Sequence, residues 1–179
     1  MEEYRSFATP DEVKEWVNNN YSIAELSDLS FDISNPDNNV ALFLYKGVGY
    51  RRMNKNVRKG GLTDERVAEL QSLLLSKRIK ESIEVERFVD FKEWIILLRK
   101  TSWGRIYEYP AFLSTTMLSK DYGIEDIAWR RHVVKIQIPQ GTPGIYIPEI
   151  NKDRPEFEIL LPHHIKLCRI KDDVFRVVI

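Results

Sequence analysis

The chain has 179 residues, 43% of them apolar and 11% aromatic, which is enough for one well-buried core and a single domain. Its 27 basic and 27 acidic residues cancel, which argues against a partner held by bulk charge such as nucleic acid. Apolar runs such as Trp94 to Leu98 fall far short of the roughly 20 residues that cross a bilayer, and the start Met1-Glu2-Glu3-Tyr4 lacks the basic and apolar regions of a secretory signal. A soluble protein is expected.

Thr9-Pro10-Asp11-Glu12 starts a helix, with Thr9 as N-cap, Pro10 at the first position and Glu12 closing a capping box; the helix carries Trp16 into the core. A second start at Asn35-Pro36-Asp37 opens a long helical segment reaching Gly60-Gly61, in which Val40, Phe43, Leu44, Val48, Met53 and Val57 recur near helical spacing. Gly47 and Gly49 weaken its middle. Thr63-Asp64-Glu65-Arg66 begins a third helix striped by Val67, Leu70, Leu73 and Leu74. From Ser82 the period changes to two, and a further helix is expected over 91–100.

The remainder reads as strands at 111–116, 132–138, 144–147, 156–161, 165–170 and 174–179, joined by Pro and Gly turns. Helices first and strands second, without βαβ alternation, make this an α+β chain with helices packed on a β-core. The helical part spans 1–80 and the β part 81–179. Cys168 lies in an alternating apolar segment and reads as a small buried hydrophobe.

Four groups of residues invite chemistry. In the strand 82–89, Arg87 shares a face with Ile83, Val85 and Val89, so it needs either a buried ion-pair partner or an anionic ligand. Tyr50 and Asn54 are neighbours on one helical face beside the basic Arg51, Arg52, Lys55 and Arg58. Ser114-Thr115-Thr116 carries hydroxyls able to hold a carboxylate rotamer, against a reading of ordinary strand composition. In Pro155-Glu156-Phe157-Glu158-Ile159-Leu160-Leu161, alternation sets Phe157, Ile159 and Leu161 on one face and Glu156 and Glu158 on the other, roughly 6.5 to 7 Å apart. Paired carboxylates suit acid/base or cation-stabilising work, while the plain alternative is a solvated edge strand. His132, His163 and His164 do not fall at metal-ligand spacing, and no phosphate-binding glycine loop is present.

In order, Tyr50-x-x-x-Asn54, Ile83-x-Val85-x-Arg87, Phe112-Leu113-Ser114-Thr115-Thr116 and Glu156-x-Glu158 resemble the R-S-E clade of mono-ADP-ribosyltransferases, above all the exoenzymes and the catalytic domains of binary actin-modifying toxins. The resemblance implies the ADP-ribosyltransferase fold, with amino-terminal helices packed on a β-sandwich-like NAD-binding core of mostly antiparallel strands. It implies that Arg87 holds the NAD diphosphate with Arg130, that Tyr50, Asn54 and Thr115 line the nucleotide, and that Ser114 orients Glu158. Glu158 then stabilises the oxocarbenium-like ribose and Glu156 receives the acceptor, an arginine of an unidentified protein. NAD enters as substrate and no metal is required. The implied setting is a toxin or effector acting in a cytosol, delivered through a separate translocation component, another secretion route, or synthesis inside the target cell.

The chain also departs from the family pattern. Asp153 stands where actin-modifying relatives often carry an aromatic residue, Phe88 follows Arg87 in place of a second arginine, and Ile127 occupies an aromatic position that Tyr122 or Trp129 would have to fill. Rival readings are an NAD glycohydrolase, a glycoside hydrolase using the two glutamates, and a binding module without catalysis.

Overall fold

The computed structural model describes residues 3–29, 40–60, 64–118, 132–148 and 157–179. Helix α1 (Pro10–Asn20) begins as predicted: the Thr9 hydroxyl accepts from the Glu12 N–H at 3.3 Å, and the helix buries Val13, Trp16 and Val17. The Glu12 carboxylate reaches back one residue further than expected, to the Ala8 N–H at 2.8 Å. A short helix not anticipated, α2 (Ile23–Leu29), comes immediately after it. It has its own capping box, since the Ser22 hydroxyl accepts from the Glu25 N–H at 3.2 Å while Glu25 accepts from the Ser22 N–H at 2.8 Å. Bonds from Ser22 and then Lys80 hold the Glu25 carboxyl down to about 2.

The long helix expected up to Gly60 is two helices, α3 (Val40–Leu44) and α4 (Tyr50–Arg58), joined by a kinked turn at Tyr45–Gly49. Gly47 breaks the helix with φ −78° and ψ −127°. Gly49 is required by crowding, because a Cβ there would run into the Leu44 carbonyl oxygen. The kink changes the phase of the apolar stripe, so α3 buries Ala41 and Leu42, while Phe43 and Leu44 are 38% exposed. The expected start at Asn35-Pro36-Asp37 lies outside the described residues. Helix α5 (Glu65–Ser76) takes Asp64 as N-cap and buries Val67, Leu70 and Leu74; α6 (Phe91–Lys100) is capped by Asp90. Among the described residues no helix is long and apolar enough to cross a membrane.

Among the described residues the sheet has eight strands: β1 (Ile83–Val89), β2 (Tyr107–Glu108), β3 (Leu113–Thr116), β4 (His132–Ile138), β5 (Ile145–Ile147), β6 (Glu158–Leu161), β7 (Lys166–Lys171) and β8 (Val174–Val178). They pair in the order β2-β7-β8-β4-β1-β3-β6-β5, antiparallel except for β4 with β8. Every predicted strand is present with its ends moved by at most two residues, and among the described residues only the two-residue β2 was not foreseen. Cys168 is half-buried rather than buried.

Strand β6 is buried at all four positions because it is covered on both faces. Ile159 and Leu161 join Leu113, Trp16, Ile83 and Val134 in the larger apolar cluster. Leu160 joins Phe112, Ile145 and Ile147 against residues of α3, α4 and α5. Each fully buried aliphatic side chain contributes about 1.5–3 kcal/mol. The site lies on the second face, where the strand ladder meets the helices.

Candidate active site

Register fixes which side chains can meet. Ser114 pairs with Leu160 and Thr116 with Glu158, so Ser114 and Glu158 share one face of the β3–β6 pair. The Ser114 hydroxyl donates to Glu158 Oε1 at 2.5 Å. The other carboxylate oxygen, Oε2, lies 2.8 Å from Lys46 Nζ, which arrives from the kinked turn between α3 and α4. Glu158 is only 6% exposed. Both of its oxygens are therefore partnered, as a charge so far from water requires.

The kink also brings in Tyr45, which is buried and whose phenol is pushed up first by burial and then by the Glu158 charge. Asn54 ties this helix–sheet joint together: its Oδ1 accepts from the Phe112 N–H at 3.0 Å and its Nδ2 donates to the Tyr45 hydroxyl at 3.4 Å.

On the far side of β3 from β6, strand β1 presents Arg87. Its Nη1 donates to the Ser114 carbonyl at 2.6 Å, its Nε to Glu93 at 3.1 Å and its Nη2 to the Tyr109 hydroxyl at 3.0 Å. Tyr109 in turn donates to Glu93 at 2.6 Å. Glu93 is placed by the first turn of α6, where its N–H is the donor to the Asp90 cap. Burial opposes the guanidinium charge, but Tyr109 and Glu93 outweigh it and hold Arg87 protonated more firmly than usual. Ser114 thus serves both charges, Arg87 through its carbonyl and Glu158 through its hydroxyl.

The structure brings together Arg87, Ser114 and Glu158, with Asn54 behind them. Tyr50 stands at the rim, 42% exposed, its hydroxyl accepting from Arg51 Nε at 2.8 Å and its ring 6.5 Å from that of Tyr45. The expected nucleotide contact of Thr115 needs correction. Its side chain projects from the opposite face of β3 to Ser114, is 4% exposed, and donates to the Ile159 carbonyl at 3.0 Å. Thr115 serves the sheet.

Glu156 and Arg130, with Tyr122, Ile127, Trp129 and Asp153, lie outside the described residues. Phe157 precedes the strand with a left-handed φ of +43°, yet it joins Ile159 and Leu161 in the larger apolar cluster, the face that the alternation predicted for it. Strand β6 is not a solvated edge, since it runs between β3 and β5.

Four of the described residues that partner these side chains carry no motif of their own: Lys46, Tyr45, Glu93 and Tyr109. Glu93 was recoverable as the third residue after the Asp90 cap. Lys46 carried a weaker signal, a lone cation closing the apolar run Val40 to Tyr45. His132 stands apart from the adjacent His163 and His164, whose rings meet edge-on at 4.7 Å. His132 stacks on Trp94 at 4.2 Å, His163 packs edge-on to Phe112, and His164 pairs with Glu108 at 2.5 Å. Among the described residues no group of three or more His, Cys, Asp and Glu is arranged to hold a metal.

A buried carboxylate with one oxygen fixed by a hydroxyl, beside a half-buried guanidinium, can accept a hydrogen bond from a ligand hydroxyl and stabilise positive charge developing next to it. The sequence profile of the ADP-ribosyltransferase exoenzymes matches residues 12–173. A search of curated protein sequences gives no match. Among solved structures, the ADP-ribosylating toxin BECa of a binary enterotoxin of C. perfringens, solved with NADH, superposes with a TM-score of 0.72 at 19% identity, over 98% of this chain and 49% of that one. The chain therefore spans about half the length of BECa. The C3 exoenzyme of Clostridium limosum gives 0.71 at 17% identity over 99% and 98% of the two chains. C3stau2 from S. aureus, solved with NAD, gives 0.66 at 19% identity over 98% of each. At these identities the structural likeness speaks for the fold, and the profile match over most of the chain speaks for descent: the protein belongs to the ADP-ribosyltransferase exoenzyme family.

Proposed function

We propose that the protein uses NAD to transfer a single ADP-ribose to an arginine side chain of a target protein, releasing nicotinamide. The observation that carries this reading is the 2.5 Å hydrogen bond from Ser114 to a buried Glu158. It fixes one carboxylate oxygen, while the other lies 2.8 Å from Lys46 Nζ. Two solved relatives of the same fold hold NADH or NAD.

In this reading Glu158 accepts a hydrogen bond from the 2′-hydroxyl of the nicotinamide ribose. The bond between C1′ and the nicotinamide nitrogen breaks, its electron pair leaves with nicotinamide, and the carboxylate stabilises the oxocarbenium-like ribose. Arg87, already held by Glu93, Tyr109 and Ser114, offers its remaining donor capacity to the diphosphate, assisted by Arg130. Tyr50 lines the nucleotide from the rim, and Asn54 positions the helix beside it.

An acceptor guanidinium keeps its proton at pKa above about 12 and is a poor nucleophile until a carboxylate takes that proton. Glu156 supplies this base. The guanidinium nitrogen then bonds to C1′ as the proton passes to Glu156. A glutamate here matches the arginine-modifying members that the motif resembles. Delivery by a separate component belongs to the same reading, by analogy with the binary enterotoxin of which BECa is part.

The test is incubation of the protein with labelled NAD and a cell lysate, comparing wild type with Glu158→Ala and Glu156→Gln. Loss of one oriented charge-stabilising group costs about 100- to 1,000-fold in rate, so nicotinamide release collapses in Glu158→Ala. Glu156→Gln keeps nicotinamide release and loses the labelled protein band. Release without any labelled band in wild type leaves an NAD glycohydrolase. No release at all sinks the reading.

A further inference from the structure

We propose that Lys46 guards Glu158: its ammonium occupies the carboxylate oxygen that substrate needs, and NAD binds by displacing it. This rests on the reading of Glu158 as the ribose-binding carboxylate. The two partners of that carboxylate differ in kind. Ser114 comes from the neighbouring strand and is held by the β3–β6 ladder, so its bond to Oε1 persists whatever occupies the site. Lys46 comes from the helical side on a long flexible side chain, 112 positions away in sequence, and holds Oε2 at 2.8 Å.

The next residue is Gly47, whose non-helical ψ of −127° interrupts the helix, so Lys46 is the last residue of the run before the break. Its side chain is thus not fastened into a continuous helix on both sides.

The pair is shielded, with side-chain exposures of 12% for Lys46 and 7% for Glu158. Water and salt exchange such a pair poorly. A ligand hydroxyl entering at Oε2 must take the place of the ammonium. The exchange also has an electrostatic consequence. While Lys46 is bound, its charge opposes the positive charge that develops on the ribose, so the carboxylate works only after the ammonium has moved. Arg87 does not duplicate this role, because its guanidinium is directed at Ser114, Glu93 and Tyr109. Lys46 is a positioning residue and takes no part in bond making.

Lys46→Met keeps the length of the side chain and removes its charge. Equilibrium titration of the full chain with nicotinamide riboside, which has the ribose and no diphosphate, reads the guard directly. Charged hydrogen bonds are strong enough that Kd for nicotinamide riboside falls roughly tenfold in Lys46→Met. KM for NAD falls with it, and Lys46→Arg restores the wild-type affinity. A purely structural ion pair would instead lower the thermal midpoint of Lys46→Met while affinity stays level or weakens, and either affinity result overturns the proposal. Wild type that binds NAD without releasing nicotinamide fails the transferase reading alone, and the affinity comparison still decides the guard. Binding of neither ligand by wild type overturns both.

Discussion

Two charges lie within one hydrogen bond of Ser114, Glu158 buried and Arg87 half-buried, and they are held in opposite ways. Arg87 is fastened by Glu93, Tyr109 and a backbone carbonyl, all on elements fixed by the sheet or by a capped helix turn. Glu158 has one fixed partner and one from a kinked turn. The first arrangement builds the frame and the second leaves a place to be filled. A charge held by fixed partners contributes position and fold and keeps only its remaining donors for a ligand, whereas a charge with an exchangeable partner can be freed for one.

The sharpest way to break this contrast is Arg87→Met. It strands Glu93 and the Ser114 carbonyl, and the loss of one partner from such a network costs about 3 kcal/mol. Urea unfolding measures it, and a loss below about 1 kcal/mol would mean that Arg87 is not part of the frame. A smaller effect separates the two faces of β3. Ser114→Ala lowers nicotinamide release by about tenfold to a hundredfold through loss of the Glu158 rotamer. Thr115→Val, one residue on and facing the apolar cluster, costs about 1 kcal/mol of stability by removing its bond to Ile159, with nicotinamide release per folded molecule unchanged. Equal effects of the two variants on release would erase the distinction between the faces.

The smallest effect concerns His163, which burial and then His164 hold below the ordinary value of 6.5. A depressed pKa in the folded state favours the neutral ring, so this contribution to stability is full above the ordinary value and is lost as pH falls through the lower folded value. Thermal midpoints measured from pH 8 to pH 5 should fall below about pH 6.5, and more shallowly in His163→Gln, where the backbone bonds of residue 163 to Gln71 remain.

The sequence was most legible where local signals and tertiary packing agree. Strand β1 and helix α6 are plain in it because Ile83, Val85 and Val89 keep strict alternation and Asp90 caps the helix that begins at Phe91. It was least legible where a single residue turns the chain. Gly47 shifts the phase of α3 relative to α4, so Phe43 and Leu44 fit the core by period while their neighbours Ala41 and Leu42 fill it. The partners of Ser114 and Glu158 were legible as types, since a hydroxyl and a carboxylate on strands suggest a bond. Lys46 was not, because no local period links residues 112 positions apart. The short α2 hides its amphipathicity, having Ile23 at 89% exposure, and only the Ser22–Glu25 box marks it.

The position of β6 has a consequence for how the protein comes into being. It is the seventh strand in the order of the sheet, inserted between β3 and β5, and it supplies the carboxylate. Its partners Ser114 and Lys46 precede it by 44 and 112 positions. A chain growing at about 5–20 residues per second has made every other described part of the site before residue 158 exists. Long-range strand pairing of this kind is slow and cooperative. Under the proposed function, the growing chain is therefore chemically silent until β6 docks, and the cell that makes the protein meets a competent site only as a finished fold.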